Sequence, residues 1–516
     1  MPTTSTTTSA TTFPTTAPST AEASASAPGH WPEGPLLAYV GDDFTGSTDV
    51  MEAFTAAGVP TVLFLSPPDA KWVDKFKGMR CIGLATTARG QSPEWMDANL
   101  PDAFAKLRAF GAPILQYKVC STFDSSPHIG SIGRAIDIGT AMMPGRWSPM
   151  VVGAPRLRRF QAFGNLFAIA DSANGPVGHR LDRHPTMSRH PVTPMHEADL
   201  RLHLSAQTQR RIELIDLVQS NAGVGPARLD AIASQTTGPN DAPVVLIDVV
   251  DETTLAEAGR LVWQGRTAGL PNDASAPAAG GAVPRTIGDQ ALSPAGGLFS
   301  ASSSGLQYAL AAHWRALGLV PATPSLPVAT PVGTIAVVSG SCSPATAEQI
   351  DWARHHGFEI LRLDIAQVLN PVTHAAEIER LVSTAATALA RGTSPLIASA
   401  EGPNDPAVTG FDALAQTAGL TRTHAAEQVG VALAQVMRHL LDRAPALKRI
   451  VVAGGDSSGA VAGALEIDAL SVAAGLSPGV PLCRAWSDNP RRNGLEIALK
   501  SGQLGGLDFF GRVITG

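Results

Sequence analysis

Two adjacent carboxylates, Asp42 and Asp43, follow an apolar run at 36–40 and precede a small-residue turn, Thr45-Gly46-Ser47-Thr48. This order reads as a buried strand, a loop, and a helix over about 49–57 that Gly58 and Pro60 stop. In an α/β sheet, ligands bind beyond the carboxyl ends of the strands, where a helix N-terminus adds free N–H groups and the positive end of its dipole. Two acids in such a place can bind a cation, accept a proton or hold a polyol. Their plainer role, shared with Thr45, is to cap the helix.

A second cluster closes another strand: Tyr117-Lys118-Val119-Cys120-Ser121-Thr122 joins a cation to hydroxyls, and Arg89 follows a third strand. If these strands are neighbours, the acids, Arg89 and Lys118–Ser121 converge on one pocket suited to a substrate with a carboxylate and hydroxyls. Further along, the strand 449–453 runs into Gly454-Gly455-Asp456-Ser457-Ser458-Gly459 and then a helix. Paired glycines let the backbone approach an anion, and no Walker lysine follows, so the loop is not a standard P-loop. Two similar loops, Ser339-Gly340-Ser341-Cys342-Ser343 and Lys500-Ser501-Gly502, share that half of the chain. Three small-residue loops, one carrying Lys500, point to a nucleotide polyphosphate. Arg156, Arg158 and Arg159 follow the strand at 149–152 and could assist an anion, with a solvated basic turn as the default reading, and His179, His184, His190, His196 and His203 lack any metal-ligand spacing.

These residues need a scaffold of alternating strands and helices. Strand patterns at 61–65, 79–84, 114–119, 149–152, 212–217 and 242–249 alternate with helical ones near 94–110, 131–142, 197–207 and 254–265. The polar, His-rich stretch 171–195 reads as an excursion from the core, and 270–298, rich in Ala, Gly and Pro, as a linker or insertion. A second alternation begins at 333–338 and continues through 357–364, 394–400 and 449–454. The expectation is two α/β lobes with mostly parallel sheets and a ligand cleft between them. The divisions are a disordered tail at 1–35, a substrate domain at 36–269, the linker at 270–298 and a nucleotide domain at 299–516.

At 516 residues the chain is too long for one core. A net charge of −6 excludes an electrostatic case for nucleic acid, and no apolar run approaches a membrane span. Cys81, Cys120, Cys342 and Cys483 are scattered, which suits a reducing cytoplasm rather than a disulfide framework or zinc site. The first Lys or Arg is Lys71, so the Thr/Ser-rich start fits neither a signal nor a transit peptide.

Taken together, the chain resembles the four-carbon acid sugar kinase family over 36–515. The fragments that carry the resemblance are DDFTG (42–46), YKVCST (117–122), SASSSGLQYALA (300–311), GSCSPAT (340–346), GGDSSGA (454–460) and ALKSGQLGGLDFF (498–510). The resemblance implies ATP-dependent phosphorylation of a terminal hydroxyl on a short sugar acid, with magnesium bridging the phosphates. It implies that Asp42 or Asp43, Arg89 and Lys118–Ser121 hold the acid. Ser341 or Ser343, Gly454–Ser457 and Gly502 would hold ATP. Either acid could be the base. Many members carry Asp at Cys120 and Arg at Asp124, so the resemblance favours the branch that handles branched acids such as 3-oxo-isoapionate over plain erythronate or threonate. The expected partners are the sugar acid and ATP, with a homodimer as the assembly. Two rivals stay open: an aspartyl-phosphate phosphatase, whose Asp-x-Asp pattern the adjacent acids do not match, and a binding protein that keeps the fold without turnover.

Overall fold

The structure is a computed structural model that describes residues 31–172, 175–190, 192–238, 241–266 and 297–516. Most of the expected tail and linker lies outside the described residues, as do the side chains at 171, 172 and 456.

The strands of the first half are β1 (Leu37–Gly41), β2 (Thr61–Phe64), β3 (Cys81–Ala85), β4 (Ile114–Lys118), β5 (Ser148–Met150), β6 (Arg159–Ala162), β7 (Asn165–Ser172), β8 (Gly175–Arg180), β9 (Ile212–Ile215) and β10 (Val244–Ile247). They are followed by β11 (Leu298–Ser302), β12 (Ala336–Ser339), β13 (Phe358–Arg362), β14 (Ser394–Ala398), β15 (Arg449–Ala453), β16 (Ala469–Ser477), β17 (Val480–Trp486) and β18 (Glu496–Lys500). A single twelve-stranded sheet, ordered β11-β4-β1-β3-β2-β16-β17-β18-β15-β12-β14-β13, runs through both halves. Five parallel strands form its first half, and β18 with β15, β12, β14 and β13 form a second parallel set. The antiparallel strands β16 and β17 join them.

The parallel strands are almost wholly buried because helices cover both faces. Along β1 the side chains alternate between two cores: Leu37 and Tyr39 enter one, Ala38 and Val40 the other. The helix Phe44–Ala56 starts on Asp43, whose side chain accepts from Gly46 N, and it packs against β16, β17 and β18.

The two parallel sets run in opposite directions, so in a flat sheet their carboxyl ends would lie on opposite edges. Six strand steps separate β1 from β15. At roughly 20–25° of twist per step, the direction turns by on the order of 120–150° and brings β15 back toward the heading of β1. Irregular register at Val472/Ala474 and Gly475/Ser477 in the joining hairpin adds to that twist. Both carboxyl ends therefore open into one region.

Three elements differ from the sequence reading. β11 and the helix Gly305–Ala316 do not begin the second half. β11 pairs with β4, and the helix packs against Glu252–Gly265. The stretch 171–195 is partly core, since β7 and β8 complete a small antiparallel sheet with β6, and Leu181, His184, Met187 and Met195 are buried. The β16–β17 hairpin, turned at Gly479 with φ +78°, stands where no strands are expected.

Candidate active site

Strand order explains how distant residues meet. β1 lies between β3 and β4, with Gly41 level with Ala85 and Lys118. The chain leaving each strand therefore delivers Asp42 and Asp43, Arg89, and Lys118 to one edge. Arg89 forks across both acids: Nε and Nη2 donate to Asp42 Oδ2 and Oδ1 at 3.1 and 2.7 Å, while Nη1 and Nη2 donate to Asp43 Oδ2 and Oδ1 at 2.7 and 2.8 Å. Asp43 also accepts from Thr45 Oγ1 at 2.6 Å and Gly46 N at 2.8 Å.

The two acids are thereby separated in character. Burial lifts the Asp42 carboxyl above the usual range, against the pull of Arg89 and with help from the Asp43 charge. Asp43 is buried too, but Arg89, Lys118, Thr45 and Gly46 N together hold it below that range. Paired groups pushed apart in this way divide acid–base labour.

The Lys118 side chain is 2 % exposed and reaches over Gly46. A Cβ on Gly46 would lie 2.5 Å from Asp43 Oδ1 and 2.6 Å from Lys118 Nζ, so this glycine is required for the close approach. Val119 is fully buried in the core and reaches the site only through its backbone, whose N–H donates to Ser302 O at 3.0 Å. Strand alternation sends its side chain to the opposite face from Lys118. Cys120 is half-buried with Sγ 2.9 Å from Thr122 Oγ1, and burial and Asp124 push the thiol up to about 11. Ser121 is half-buried in the same turn.

Sequence reasoning missed Asp49. It is buried one turn into the helix beyond Thr45 and Gly46, and burial raises its carboxyl despite the Lys118 charge. Tyr308 Oη donates to it at 3.4 Å. An acid in the middle of an apolar helical run was the available signal.

On the second half, β12, β15 and β18 are adjacent, with Ser339 level with Ala453 and Ala453 with Lys500. Their carboxyl ends bring the three expected loops together. Gly454 has φ +123°, and a Cβ on Gly340 would meet Ser457 Oγ at 2.1 Å, so the backbone crowds too closely for side chains. The helix Gly455–Ala464 opens there with its first N–H groups unclaimed by any side-chain cap. Ser457 is buried; the Asp456 side chain lies outside the described residues. Ser343 caps the helix Pro344–His355 through Thr346 N and donates to Gly502 O. Ser341 Oγ donates to Thr346 Oγ1 at 3.0 Å. A Cβ on Gly502 would lie 2.7 Å from Ser341 Oγ.

Lys500 is not in the glycine-rich turn but ends β18, fully buried. Its ammonium donates to Thr346 Oγ1, Ser501 O and Leu504 O at 3.1, 2.9 and 3.1 Å, and burial lowers it to about 7. With three donors directed inward, it shapes the 501–504 loop.

The two halves touch at the acids. A Cβ on Gly455 would stand 3.7 Å from Asp43 Oδ2, and one on Gly459 would stand 3.1 Å from the Phe44 ring. The anion-type loop thus faces the carboxylate pair directly. Among the described residues no group of three or more His, Cys, Asp or Glu side chains is arranged to hold a metal. His184 and His190 accept hydrogen bonds within their own turns, and His203 Nε2 pairs with Ser125 Oγ at 3.1 Å. No helix among the described residues is long and apolar enough to cross a membrane.

An acid pair bridged by one arginine and set close to a glycine-rich loop at a helix N-terminus, on one twisted sheet, places the chain among two-domain α/β proteins. Residues 37–281 match a family described as a sugar-binding N-terminal domain, and 336–510 one described as a nucleotide-binding C-terminal domain. A 3-oxo-isoapionate kinase from Paraburkholderia graminis is 61% identical over 486 residues, covering 94% of this chain and 95% of that one. A 3-oxo-tetronate kinase from Methylobacterium radiotolerans is 30% identical, covering 93% and 98%. Solved structures share the fold: a Salmonella typhimurium protein described as a putative tRNA synthase (TM-score 0.67, 24% identity, 92% and 98% covered) and a Haemophilus influenzae protein of the DUF1537 family (0.61, 22%, 92% and 99%). The chain belongs to the DUF1537 family of sugar-acid kinases. It is an ATP-using kinase of a short sugar acid.

Proposed function

We propose that the enzyme transfers the γ-phosphoryl group of ATP to a primary hydroxyl of a branched oxo sugar acid of the 3-oxo-isoapionate type. The observation that carries this reading is the closeness of Gly455 to Asp43, whose Oδ2 would lie 3.7 Å from a Cβ at that glycine, so that the glycine-rich loop stands beside the acid pair. The 61% identical relative supports the substrate class.

In this account Arg89 and Lys118 hold the carboxylate end and orient the acid. Asp42, the carboxyl with the raised affinity for a proton, takes the proton of the attacking hydroxyl. Asp43 stays ionised and aligns that hydroxyl toward the loop 454–457. The N–H groups at Gly455 and Ser457, with Ser341 and Gly502, receive the phosphates. Lys500 and Ser501 keep the 501–504 loop in shape. Magnesium, when bound, would supply charge neutralisation on the ATP phosphates, and Asp43, the carboxylate held ionised, is the residue that would hold it.

The test is ADP release by the purified full chain against a panel of short sugar acids. Turnover with a branched 3-oxo acid well above that with erythronate or threonate supports the reading. ATP binding with no acid accelerating ADP release would overturn it.

A further inference from the structure

The loop after β4 holds a second set of polar groups that the phosphoryl-transfer site does not use. Phe123 has φ +59°, a conformation that an aromatic residue adopts only under constraint. Its N–H donates to Cys120 O at 3.0 Å, and its buried ring meets His203 edge-on at 5.7 Å. This turn folds Asp124 inward. Asp124 is 8 % exposed, and its Oδ1 is sealed from solvent with no hydrogen-bond donor among the described residues.

Arg159, on β6, shows the complementary gap. Its Nη1 donates to Leu157 O at 2.9 Å and Arg158 O at 3.3 Å, while its Nε is buried without an acceptor. Buried polar atoms nearly always have partners, so an orphan acceptor and an orphan donor call for an explanation. Cys120 and Asp124 both act electrostatically on Arg159, and Asp124, Arg89 and Lys118 act in turn on the Cys120 thiol. Cys120, two residues beyond Lys118 and accepting from Phe123 N through its carbonyl, ties this turn to the acid pocket. His184 borders Arg159: its Nδ1 accepts from Thr186 N and Met187 N, and burial with the Arg159 and His179 charges lowers it to about 4, so it is neutral there.

We propose that Asp124 and Arg159 form a specificity subsite for the branched end of the acid. Asp124 Oδ1 accepts a hydrogen bond from a hydroxymethyl group, and Arg159 Nε donates one to the oxo oxygen. This inference rests on the sugar-acid kinase reading and adds where selectivity resides. A site built to hydrogen-bond a substrate hydroxyl rejects an analogue lacking it, because its own buried groups are then left unpaired.

The experiment compares the full chain with Asp124→Asn, Asp124→Ala and Arg159→Met. It uses 3-oxo-isoapionate and the unbranched 3-oxo-tetronate as probes, reading kcat and KM, the ATP KM, and the acid-induced melting shift without ATP. The expected result is a rise of at least ~10-fold in KM for the branched acid in Asp124→Ala and Arg159→Met. The KM for ATP should stay unchanged, and the preference for the branched acid should narrow. Asp124→Asn should also melt no lower than the parent without ligand, since Oδ1 makes no hydrogen bond for the change to remove, whereas a merely structural aspartate would melt lower when replaced. The melting arm reads the subsite even if turnover fails, which separates this inference from the kinase reading. Unchanged preference between the two acids, or acid-induced shifts equal to those of the parent, would overturn it.

Discussion

The backbone N–H of Gly479 donates to Glu52 Oε2 at 2.7 Å, tying the turn of the β16–β17 hairpin to the helix that starts on Asp43. The contact joins the element that reverses the sheet to the element that carries the acids. Burial pushes the Glu52 carboxyl up to about 8, and the nearby Asp49 charge adds to this, while Gly479 N and Arg156 oppose it.

That shift predicts a pH dependence of stability. Between the ordinary carboxylate range and about pH 8, the folded chain holds a proton on Glu52 that the unfolded chain has released. The associated stability is present at low pH and lost as pH rises through about 8. Melting temperatures taken from pH 6 to pH 9 should therefore fall. Glu52→Gln keeps the acceptor and removes the charge, so it should lose at least about 1 kcal/mol less over that window. Parallel curves for parent and variant would contradict the assignment.

The separated carboxyls make distinct predictions. Asp42→Asn should cut kcat by at least ~100-fold with little change in the KM for ATP, as expected for loss of a general base. Its pH–rate profile should lose the acid-side limb set by the raised Asp42 carboxyl. Asp43→Asn should also lower kcat, and because Asn caps a helix about as well as Asp, Gly46 N keeps its acceptor and the effect is on turnover rather than on the cap. Equal loss of ATP affinity in both variants would speak against the division of the pockets.

Gly46→Ala tests the close approach of Lys118. The added methyl would need the space within 2.6 Å of Lys118 Nζ, so the ammonium must move. Acid KM should rise by at least ~10-fold while ATP binding, measured by titration with a non-hydrolysable analogue, stays intact. A variant with parental KM would place the acid elsewhere.

Lys500→Met removes the two hydrogen bonds that hold the loop at Ser501 O and Leu504 O and the one to Thr346 Oγ1. The KM for ATP should rise, and the acid-induced melting shift should remain, because the lysine lies on the nucleotide side of the sheet. A raised KM for the acid with normal ATP binding would reverse that placement.

Much of the site was legible in the sequence because it is local: a strand, a carboxylate cap and a glycine-rich turn are each encoded within ten residues. The convergence of Arg89 and Lys118 on the acids also followed once their strands flanked β1. Elements defined by long-range pairing were not legible. β11 reads as the start of the second half until its pairing with β4 is seen, and the β16–β17 hairpin carries small residues and an exposed turn rather than a strand pattern. Asp49 hid inside a helix, and Lys500 looked like a loop cation although strand register buries it.

The central claim is that one twisted sheet sets a triphosphate at 454–457 against a hydroxylated acid held by Asp42, Arg89 and Lys118. A crystal structure with AMP-PNP and a non-reacting sugar acid tests it most directly. The account predicts the γ-phosphate between Gly455 and Asp43, with the acid's carboxylate on Arg89 or Lys118. Nucleotide phosphates bound at Asp42 and Thr45, away from the glycine loop, would contradict it.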